Sequence, residues 1–482
     1  MTIKDLAPSI VWNNFYQITR IPRPSKHEEK IRAFLLKWAE DHKIEAFTDD
    51  TGNVIMRVPA TPGFEKRKGV ILQGHMDMVP QKNSDVKHDF LTDPIETKVE
   101  GEWLKACGTT LGADNGLGLA LALSVAESKD VKHGPIEILA TYDEETGMTG
   151  AALLKPGVLK GDILINLDSE TEGELYVGCA GGVDASAEGK YATEKAPAGW
   201  QTVDFAVKGC QGGHSGMDII LYRANANKAA VRILTEAMKA ADIKLVSLEG
   251  GNLRNAIPRE CFGTLLVKDF AAAKKAVEQV AAIVKGEYAE TDPDMQVVFE
   301  KAASPAAECS TDSDAKRVIG AILACPDGVE RMSASVPGLC ETSTNMAIVK
   351  VADGKWCVKS LLRSSIDSSK MALADKMKAV FDLAGAQTTF DGAYSGWKPN
   401  PNSAILKVMK EVYKKMFGKE ALVMAIHAGL ECGILSGAYP HWDMVSCGPT
   451  LLSPHSPDER AHIPSVAKVW DYLQEVLVNI PE

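Results

Sequence analysis

The chain has 482 residues, of which 45% are hydrophobic and 24% are charged, and its formal net charge at pH 7 is −11. Its length exceeds what one compact core usually holds and predicts two or more domains. The negative charge argues against nucleic acid or an anionic membrane as a partner. No run of about 18 apolar residues appears, so no transmembrane helix is predicted.

Two further features concern the cellular compartment. Residues 1–6 lack a basic region followed by an apolar core, so no secretory signal is expected. The 10 cysteines are scattered singly, without a Cys-x-x-Cys pair. This spacing favours reduced thiols over a disulfide framework or a structural zinc site. The sequence therefore predicts a cytoplasmic protein.

The first candidate site residue is His75, which follows the apolar run Gly-Val-Ile-Leu-Gln-Gly at 69–74. A β-branched run bounded by glycine predicts a buried strand that ends at the histidine. In extended backbone, side chains two positions apart face the same way, so Asp77 can reach the ring of His75 and fix its tautomer for metal binding. A lone His-x-Asp pair is more often found on a solvated loop, so this motif decides nothing by itself.

Asp114 is a second candidate ligand. It lies in a glycine-containing segment directly before the apolar helical stretch 117–126. This placement predicts a carboxylate at or before a helix N-terminus, where an aspartate usually serves as a cap. The neighbouring metal-capable motifs favour the alternative, that Asp114 is a metal ligand.

Two more apolar runs end in carboxylates. The run 136–142 precedes three consecutive acids at 143–145, and the run 162–167 precedes Asp168. Crowded carboxylates repel one another unless cations or protons compensate them, although an acidic run is also typical of a solvated turn. Three apolar strands that each end in a metal-capable residue indicate a parallel sheet whose carboxyl edge forms a two-metal site.

The order of elements predicts how the domains are arranged. Strands and helices alternate up to about residue 180, which is typical of a doubly wound domain, and a polar stretch near 185–200 indicates a crossing into a lid. The strand and helix order between 201 and 300 recurs between 312 and 391, which favours two duplicated α+β halves. The predicted class is α/β, with a mostly parallel central sheet and an inserted α+β lid. The predicted catalytic domain spans 1–186 and 393–482, and the lid spans 187–392.

Five motifs follow a recognisable order along the chain: His-x-Asp at 75–77, Ala-Asp-Asn at 113–115, Asp-Glu-Glu at 143–145, Asp-Ser at 168–169 and Pro-His at 454–455. This order resembles the co-catalytic zinc aminopeptidase, dipeptidase and aminoacylase family. Within that family the resemblance is strongest to the aminoacyl-histidine dipeptidases, through segments 72–82, 108–116, 253–260, 427–433, 448–450 and 454–459. The resemblance covers essentially the whole chain.

The resemblance implies a role for each matched residue of a metal centre. His75 and Asp168 would bind one zinc ion. Glu145 and His455 would bind the other, and Asp114 would bridge both. The implied cofactor is a pair of divalent ions, zinc first, with cobalt or manganese as alternatives because carboxylate and imidazole ligands accept all three.

Two further acids have implied roles in the reaction. Glu144 would be the general base, and Asp77 would orient His75. All seven positions of the implied centre carry the expected residue. The resemblance also implies a cis peptide bond between Asp114 and Asn115.

The resemblance also implies that the lid supplies residues that bind the substrate. The histidine of the Gly-Gly-His-Ser-Gly motif, His214, would reach the reacting carbonyl and stabilise its oxyanion. A bare Gly-Gly-His is more often a flexible turn with an exposed histidine. Arg363, with Asn255 nearby and the backbone at Gly429, would hold the free carboxylate of the substrate.

The implied function is that of a dinuclear metallo-dipeptidase. It would hydrolyse dipeptides, preferentially Xaa-His including β-alanyl-histidine, by a water held between the two metal ions with Glu144 as general base. The expected partners are a small peptide substrate and a second copy of the chain in a homodimer.

Three alternatives differ from this function. An N-acyl amino acid amidohydrolase, or a broader di- and tripeptidase, would use the same two-metal site and differ only in pocket shape. A two-metal phosphohydrolase should also place arginine or lysine near the metals, and none lies beside the five motifs. A non-catalytic protein on the same fold would be expected to have lost Glu144 or a ligand.

Overall fold

The computed structural model of the chain describes residues 2–400 and 402–482. These residues form two compact units. Unit 1 takes the described residues of Met1–Gly178, Trp397–Ala425 and Leu430–Glu482, and unit 2 takes Cys179–Gly396 and Ile426–Gly429. Within this part of the chain, no helix is long and apolar enough to cross a lipid bilayer.

Helices and strands are numbered in chain order. The helices are α1 Ser9–Thr19, α2 Glu29–Asp41, α3 Ala113–Glu127, α4 Glu144–Gly147, α5 Thr149–Leu153, α6 Ala226–Ala240, α7 Phe270–Glu287, α8 Asp312–Ala324, α9 Asp367–Leu383, α10 Ala404–Phe417, α11 Glu431–Ala438 and α12 Ile463–Val478, with 3-10 turns at Ile3–Asp5 and Ile219–Leu221. The strands of the first half of the chain are β1 Glu45–Thr48, β2 Val54–Val58, β3 Val70–His75, β4 Thr97–Glu100, β5 Trp103–Ala106, β6 Ile136–Thr141, β7 Ile163–Asn166, β8 Glu174–Cys179, β9 Gly181–Lys190, β10 Thr193–Lys195, β11 Gln201–Lys208 and β12 Gly213–His214. The later strands are β13 Ile243–Gly250, β14 Ala256–Ile257, β15 Cys261–Val267, β16 Gln296–Lys301, β17 Glu308–Ser310, β18 Gly328–Met332, β19 Cys340–Ala352, β20 Lys355–Ser364, β21 Gln387–Tyr394, β22 Leu422–Ile426, β23 Asp443–Ser446, β24 Leu451–Leu452 and β25 Arg460–His462.

The main sheet of unit 1 has 8 strands in the order β1-β2-β6-β3-β7-β23-β8-β22. At its centre, β3 runs parallel to β6 and to β7, and β7 runs parallel to β23. Every residue of β3, β6 and β7 is buried, which explains why their sequences are mostly apolar and do not alternate with exposed polar residues. The predicted α/β class is confirmed, and the central strands are parallel within a sheet that is mixed as a whole.

Helices pack on this sheet and form the core of unit 1. Helix α3 packs on β3 and on α1, and α10 packs on β23 and on α12. Trp12 and Phe15 of α1 are fully buried in this core. Nearly every residue of α3 is buried as well, as expected for a helix that is apolar on all sides.

A second, 4-stranded sheet of unit 1 has the order β24-β25-β5-β4. It joins the C-terminal part of the chain to the N-terminal part, because β25 pairs with β5. The loop between β24 and β25 contains His455. Both His455 (φ 59°) and Ser453 (φ 55°) adopt the left-handed backbone conformation there, which is uncommon for residues other than glycine.

The main sheet of unit 2 has 9 strands, ordered β16-β11-β15-β13-β19-β20-β9-β21 with β18 beside β19. It consists of two halves with the same pairing. In one half, β11 lies between β15 and β16, and in the other, β9 lies between β20 and β21. Each half has the βαββαβ order of a ferredoxin-like motif, and β13 pairs with β19 to join the halves.

The start of unit 2 differs from the sequence interpretation, which took residues 185–200 as a polar crossing and began the lid at 187. Strand β9 covers Gly181–Lys190 and pairs along its length with β20. Strand β9 is the first strand of the half that also contains β19, β20 and β21. In the sequence it comes before all strands of the other half, which begins with β11. The buried positions of β9 are two glycines, a valine and two alanines, so its alternation is weak in the sequence.

The buried centre of β3 gives the first testable prediction. Leu72 has no exposed surface, whereas Leu153 at the end of α5 is 59% exposed. Leu72→Ala should lower the free energy of unfolding by about 2–5 kcal/mol, because it leaves a cavity between packed layers. Leu153→Ala, the control, should change it by about 0.5 kcal/mol or less. Urea denaturation followed by circular dichroism measures both, and an equal loss in the two variants would contradict the prediction.

Candidate metal centre

His75 is the last residue of β3 and is buried. Its Nδ1 lies 3.3 Å from Asp77 Oδ1 and 3.2 Å from the Asp77 carbonyl oxygen, so Nε2 faces away from Asp77. The Asp77 carboxylate also accepts hydrogen bonds from the backbone N–H groups of Glu144 (3.0 Å) and Glu145 (3.1 Å). Asp77 therefore connects the imidazole at the end of β3 to the acidic turn after β6.

The Asp114 carboxylate lies between two imidazoles. Its Oδ1 is 3.0 Å from His75 Nε2, and its Oδ2 is 3.1 Å from His455 Nε2. Each of these nitrogens has a second carboxylate neighbour, because Asp168 Oδ1 is 3.4 Å from His75 Nε2 and Glu145 Oε2 is 3.0 Å from His455 Nε2. The five residues predicted as metal ligands thus lie together in unit 1, as two imidazole–carboxylate pairs that share Asp114.

Each of these side chains comes from a chain segment that the sheets position. Asp168 lies two residues beyond β7, and Glu145 lies in the short helix α4 that follows β6. Asp114 and Asn115 depart from helical backbone angles at the start of α3, and the peptide bond between them is cis, as predicted. His455 lies in the loop between β24 and β25. The carboxyl ends of parallel strands meet at one sheet edge, which is why distant parts of the sequence converge here.

The carboxylates set the charge state of both imidazoles. Burial lowers the pKa of His75, but Asp168 and Asp114 outweigh this effect and raise the pKa well above its ordinary value. Hydrogen bonds to Asp114 and Glu145 raise the pKa of His455 to about 11. Burial raises the pKa of Asp168 to about 6. The two histidine shifts share one cause, the carboxylates around the imidazoles, and the same negative field attracts cations.

The donor atoms fit a pair of divalent metal ions. Nitrogen and oxygen ligands around a tetrahedral ion with bonds of about 2.0–2.1 Å lie about 3.3 Å apart, and the paired donor atoms here are separated by 3.0–3.4 Å. Glu145 Oε1 is buried without a hydrogen-bond partner in the described chain, and Asp168 Oδ1 is buried with only the 3.4 Å approach of His75 Nε2. A buried carboxylate oxygen in that position is costly unless a cation or proton compensates it.

Glu144 is the first residue of α4. Its backbone N–H donates to Asp77, and its carboxylate receives no hydrogen bond from residues 2–400 or 402–482. Burial raises the pKa of Glu144 well above its ordinary value, against the opposing charge of His75 and with a contribution from Asp168. A carboxylate with a raised pKa and no internal donor is suited to accept a proton from water.

Asp143, the first acid of the predicted run, has a different environment. Its carboxylate accepts hydrogen bonds from the hydroxyl groups of Thr149, at 2.5 Å, and of Thr146. Its backbone N–H donates to Glu28 Oε1 at 3.2 Å. Only two of the three consecutive acids therefore contribute to the candidate site, and the third anchors the turn that carries them.

A buried polar network that the sequence analysis missed runs between the strand ends. Glu431 Oε2 accepts hydrogen bonds from Gln73 Nε2 (2.6 Å) and Thr141 Oγ1 (2.7 Å). Gln73 Oε1 accepts a hydrogen bond from Asn166 Nδ2 (2.5 Å). The Oδ1 of Asn166 in turn accepts a hydrogen bond from Ser446 Oγ. The network links β3, β6, β7 and β23, and so holds four strand ends in position. One sequence signal existed, because Gln73 and Asn166 each interrupt an apolar strand two residues before a metal-capable side chain.

In unit 2, His214 has a defined tautomer. Its Nδ1 accepts hydrogen bonds from the backbone N–H groups of Gly216 (3.3 Å) and Met217 (3.1 Å). Because these bonds use the lone pair of Nδ1, the ring proton lies on Nε2, which is then a hydrogen-bond donor. Burial and the positive charge of Arg363 lower the pKa of His214. The ring is therefore neutral at pH 7 and can donate one hydrogen bond.

Arg363 of β20 is a buried cation of unit 2. Its Nε donates to Ser215 Oγ at 3.3 Å and its Nη1 donates to the Tyr394 hydroxyl at 3.4 Å. No carboxylate in the described part of the chain forms an ion pair with it. A guanidinium that is 5% exposed and bonded only to neutral groups is suited to bind an anionic ligand.

The other two predicted substrate residues also lie in unit 2. The Asn255 carbonyl oxygen accepts a hydrogen bond from Ser215 N at 2.8 Å, so Asn255 adjoins the residue that directly follows His214. Gly429 ends the segment Ile426–Gly429, which joins unit 2. The backbone N–H of Ala180 donates to the carbonyl oxygens of Ile426 (3.1 Å) and Ala428 (3.0 Å) in this segment. The structure thus places the predicted ligands in unit 1 and the four predicted substrate residues in unit 2.

Comparisons with known proteins agree on one family. The model of peptidase family M20/M25/M40 matches residues 71–479. The chain is 44% identical over 481 residues to the cytosol non-specific dipeptidase of Escherichia coli (strain K12), covering 99% of each protein. It is 46% identical to the aminoacylhistidine dipeptidase of Vibrio alginolyticus, whose crystal structure matches with a TM-score of 0.96 over 100% of this chain and 99% of that chain. Aminopeptidase PepT of Bacillus cereus, at 17% identity and a TM-score of 0.56 over 98% of each chain, shares the fold.

His427 of unit 2 gives a pH-dependent prediction. It is buried with Nε2 2.7 Å from Ser343 Oγ, and burial together with the charge of Arg363 lowers its pKa to about 3. In the unfolded chain the pKa of histidine is about 6.5. Below pH 6.5 the unfolded chain therefore binds a proton that the folded chain does not, and stability falls as the pH decreases toward 3.

The variant His427→Gln removes this titration. Between pH 8 and pH 5, the wild type should lose about 2 kcal/mol more stability than the variant. Urea denaturation midpoints at the two pH values measure the difference. The same pH dependence in both proteins would show that His427 titrates normally in the folded state.

Proposed function

The chain belongs to peptidase family M20/M25/M40 and is a hydrolase that acts on peptide bonds, and we propose that it is a metal-dependent dipeptidase that prefers Xaa-His substrates, including β-alanyl-histidine. The observation that supports metal-dependent chemistry is the position of Asp114. Each of its two carboxylate oxygens lies beside an imidazole, and each imidazole has a second carboxylate nearby. The substrate class is suggested by the name of the relative from Vibrio alginolyticus.

We propose that His75 and Asp168 hold one divalent ion, that Glu145 and His455 hold the other, and that Asp114 binds both. When bound, such a pair lowers the pKa of a water molecule and polarises the scissile carbonyl. Zinc is the proposed metal, with cobalt and manganese as alternatives, because this ligand set accepts all three.

Glu144 is the proposed general base. Its carboxylate would take a proton from the attacking water and then return it to the amine that leaves. Asp77 would act through His75, because the contact between Asp77 and Nδ1 keeps the lone pair of Nε2 directed at Asp114 and Asp168.

Unit 2 would supply the groups that bind the substrate. His214 has a protonated Nε2, and we propose that it donates a hydrogen bond to the oxygen of the reacting carbonyl, where negative charge develops. Arg363 would bind the free carboxylate of the substrate, assisted by Asn255 and by the backbone at Gly429. The absence of an ion-pair partner for Arg363 in the described chain supports this role.

A broader dipeptidase is the second candidate. It is favoured by the relative from Escherichia coli, which is named a non-specific dipeptidase and is 44% identical to this chain.

The same relative is named a cytosolic protein, and we propose the cytoplasm for this chain as well. No disulfide bond joins cysteines in the part of the chain that the structure describes, which suits a reducing compartment. The expected homodimer stays a prediction.

The substrate assignment is tested by product release from a panel of substrates. We expect the zinc-loaded protein to hydrolyse β-alanyl-histidine and leucyl-histidine faster than leucyl-leucine, and to leave a tripeptide and an N-acetyl amino acid intact. Protein stripped by a chelator should lose the activity and regain it when zinc is returned. Equal rates on all three dipeptides would favour the broader dipeptidase. Turnover of only the acyl amino acid or the tripeptide would refute the dipeptidase assignment.

The role of Glu144 is tested by Glu144→Gln, which keeps the size of the side chain but cannot accept the proton. The kcat for leucyl-histidine should fall by about 10²- to 10⁴-fold, while the zinc content stays at that of the wild type. The control is Glu102→Gln, because the Glu102 side chain is 75% exposed and should not affect kcat. A loss of zinc in parallel with the loss of kcat would mean that Glu144 is a ligand instead.

A further inference from the structure

Glu459 is a buried carboxylate of unit 1 with no role in the chemistry described so far. It is 2% exposed, and it accepts hydrogen bonds from four consecutive backbone N–H groups. Its Oε2 accepts from Leu111 N at 2.7 Å and from Gly112 N at 3.0 Å. Its Oε1 accepts from Ala113 N at 2.8 Å and from Asp114 N at 3.2 Å.

This arrangement connects two of the proposed ligands. The four N–H groups belong to the segment that ends at Asp114, the carboxylate shared by both imidazoles. Glu459 itself lies four residues after His455, in the same loop between β24 and β25. The Glu459 carboxylate therefore binds the backbone segment that ends at Asp114 to the loop that contains His455.

Arg23 holds the same segment through its carbonyl groups. The guanidinium is 2% exposed, and its Nη2 donates to the Gly112 carbonyl oxygen at 2.5 Å. Its Nη1 donates to the carbonyl oxygens of Met76 (2.8 Å) and Asp77 (2.6 Å). Arg23 thus joins the segment before Asp114 to the turn that follows His75.

Gly112 shows how closely the two charged groups hold the backbone. Its N–H donates to Glu459 and its carbonyl accepts from Arg23. Its φ of 68° lies in the left-handed region, and a Cβ at this position would come within 2.7 Å of Arg23 Nη2 and 2.9 Å of Met78 Sδ. The segment therefore needs glycine here, and its position is determined from both sides.

We propose that Glu459 and Arg23 are positioning residues of the metal centre, which set the spacing between Asp114, His75 and His455 and thereby the affinity for the metal ions. Glu459 connects Asp114 to His455, and Arg23 connects it to His75. In residues 2–400 and 402–482, the hydrogen bonds of both side chains go to backbone groups and not to ligand side chains, so both would act through the backbone of 111–114. The inference rests on the proposed two-metal function.

A purely structural role is the alternative, and the chain offers a matched control for it. Glu137 of β6 is also buried, and its carboxylate accepts backbone N–H groups of Lys160 (2.7 Å) and Gly161 (2.9 Å). It lies near the start of β6, away from the carboxyl end that leads to the candidate site. Loss of its hydrogen bonds should affect stability without affecting the metal centre.

The test compares Glu459→Gln with Glu137→Gln. A glutamine has one acceptor oxygen, so its NH₂ group would face two of the four backbone donors at Glu459. Each protein is stripped of metal and titrated with Zn²⁺ in competition with a chromophoric chelator. We expect Glu459→Gln to lower the zinc affinity by about 10- to 100-fold and Glu137→Gln to leave it unchanged. Thermal melts of the metal-free proteins measure how far each substitution lowers the melting temperature.

A second readout and a second variant keep the test decisive. Excess zinc should restore the kcat of Glu459→Gln for leucyl-histidine toward that of the wild type, which a general loss of packing would not allow. If Glu459→Gln does not fold, Arg23→Lys is measured instead, because lysine keeps the charge but cannot bond both segments as the guanidinium fork does. Its zinc affinity should fall over the same range.

The outcomes separate this inference from the proposed function. Wild-type protein that binds no zinc would refute the proposed function and the inference together. Two results would overturn the inference alone, provided that the wild type binds zinc. In the first, Glu459→Gln binds zinc as tightly as the wild type. In the second, Glu459→Gln and Glu137→Gln lose the same amount of zinc affinity. A selective loss in Glu459→Gln that zinc restores would support it.

Discussion

The metal centre depends on one constraint, that the Asp114 carboxylate must present both of its oxygens to two imidazoles at once. His75 ends a strand in the N-terminal part of the chain, and His455 lies in a loop near its C-terminus. An aspartate whose side chain rotated freely would contact only one of the two imidazoles at a time. The backbone before Asp114 is therefore held from both sides, by the four hydrogen bonds to Glu459 and by the contact between Arg23 and Gly112.

The second constraint is electrostatic. Carboxylates outnumber cations around the two imidazoles, and their burial makes every interaction stronger than it would be in water. The pKa of His455 rises to about 11 in this field, which expresses how strongly the site favours positive charge. Buried strands and a polar network through Gln73 and Glu431 keep the carboxylates from moving apart. The same rigidity would make the site selective for cations of the right size.

Much of the fold and of the candidate site follows from local sequence. The mostly apolar runs before His75 and Asp168 indicated buried parallel strands, because strands covered on both faces do not alternate between apolar and polar residues. Strand β9 could not be found this way, since its buried side chains are mostly alanine. The roles of Glu431 and Glu459 were equally hidden, because their partners lie far away in the sequence.

The sequence by itself determined which residue types are available at which strand ends, and hence the α/β class, the family and the set of candidate ligands. The tertiary structure decided what each carboxylate does. Asp114 is shared between two imidazoles, whereas Glu459 binds four backbone N–H groups. The physical reason is distance, since the function of a carboxylate depends on the atoms within about 3 Å of its oxygens. For Asp114 and Glu459 those atoms come from residues between 39 and 348 positions away.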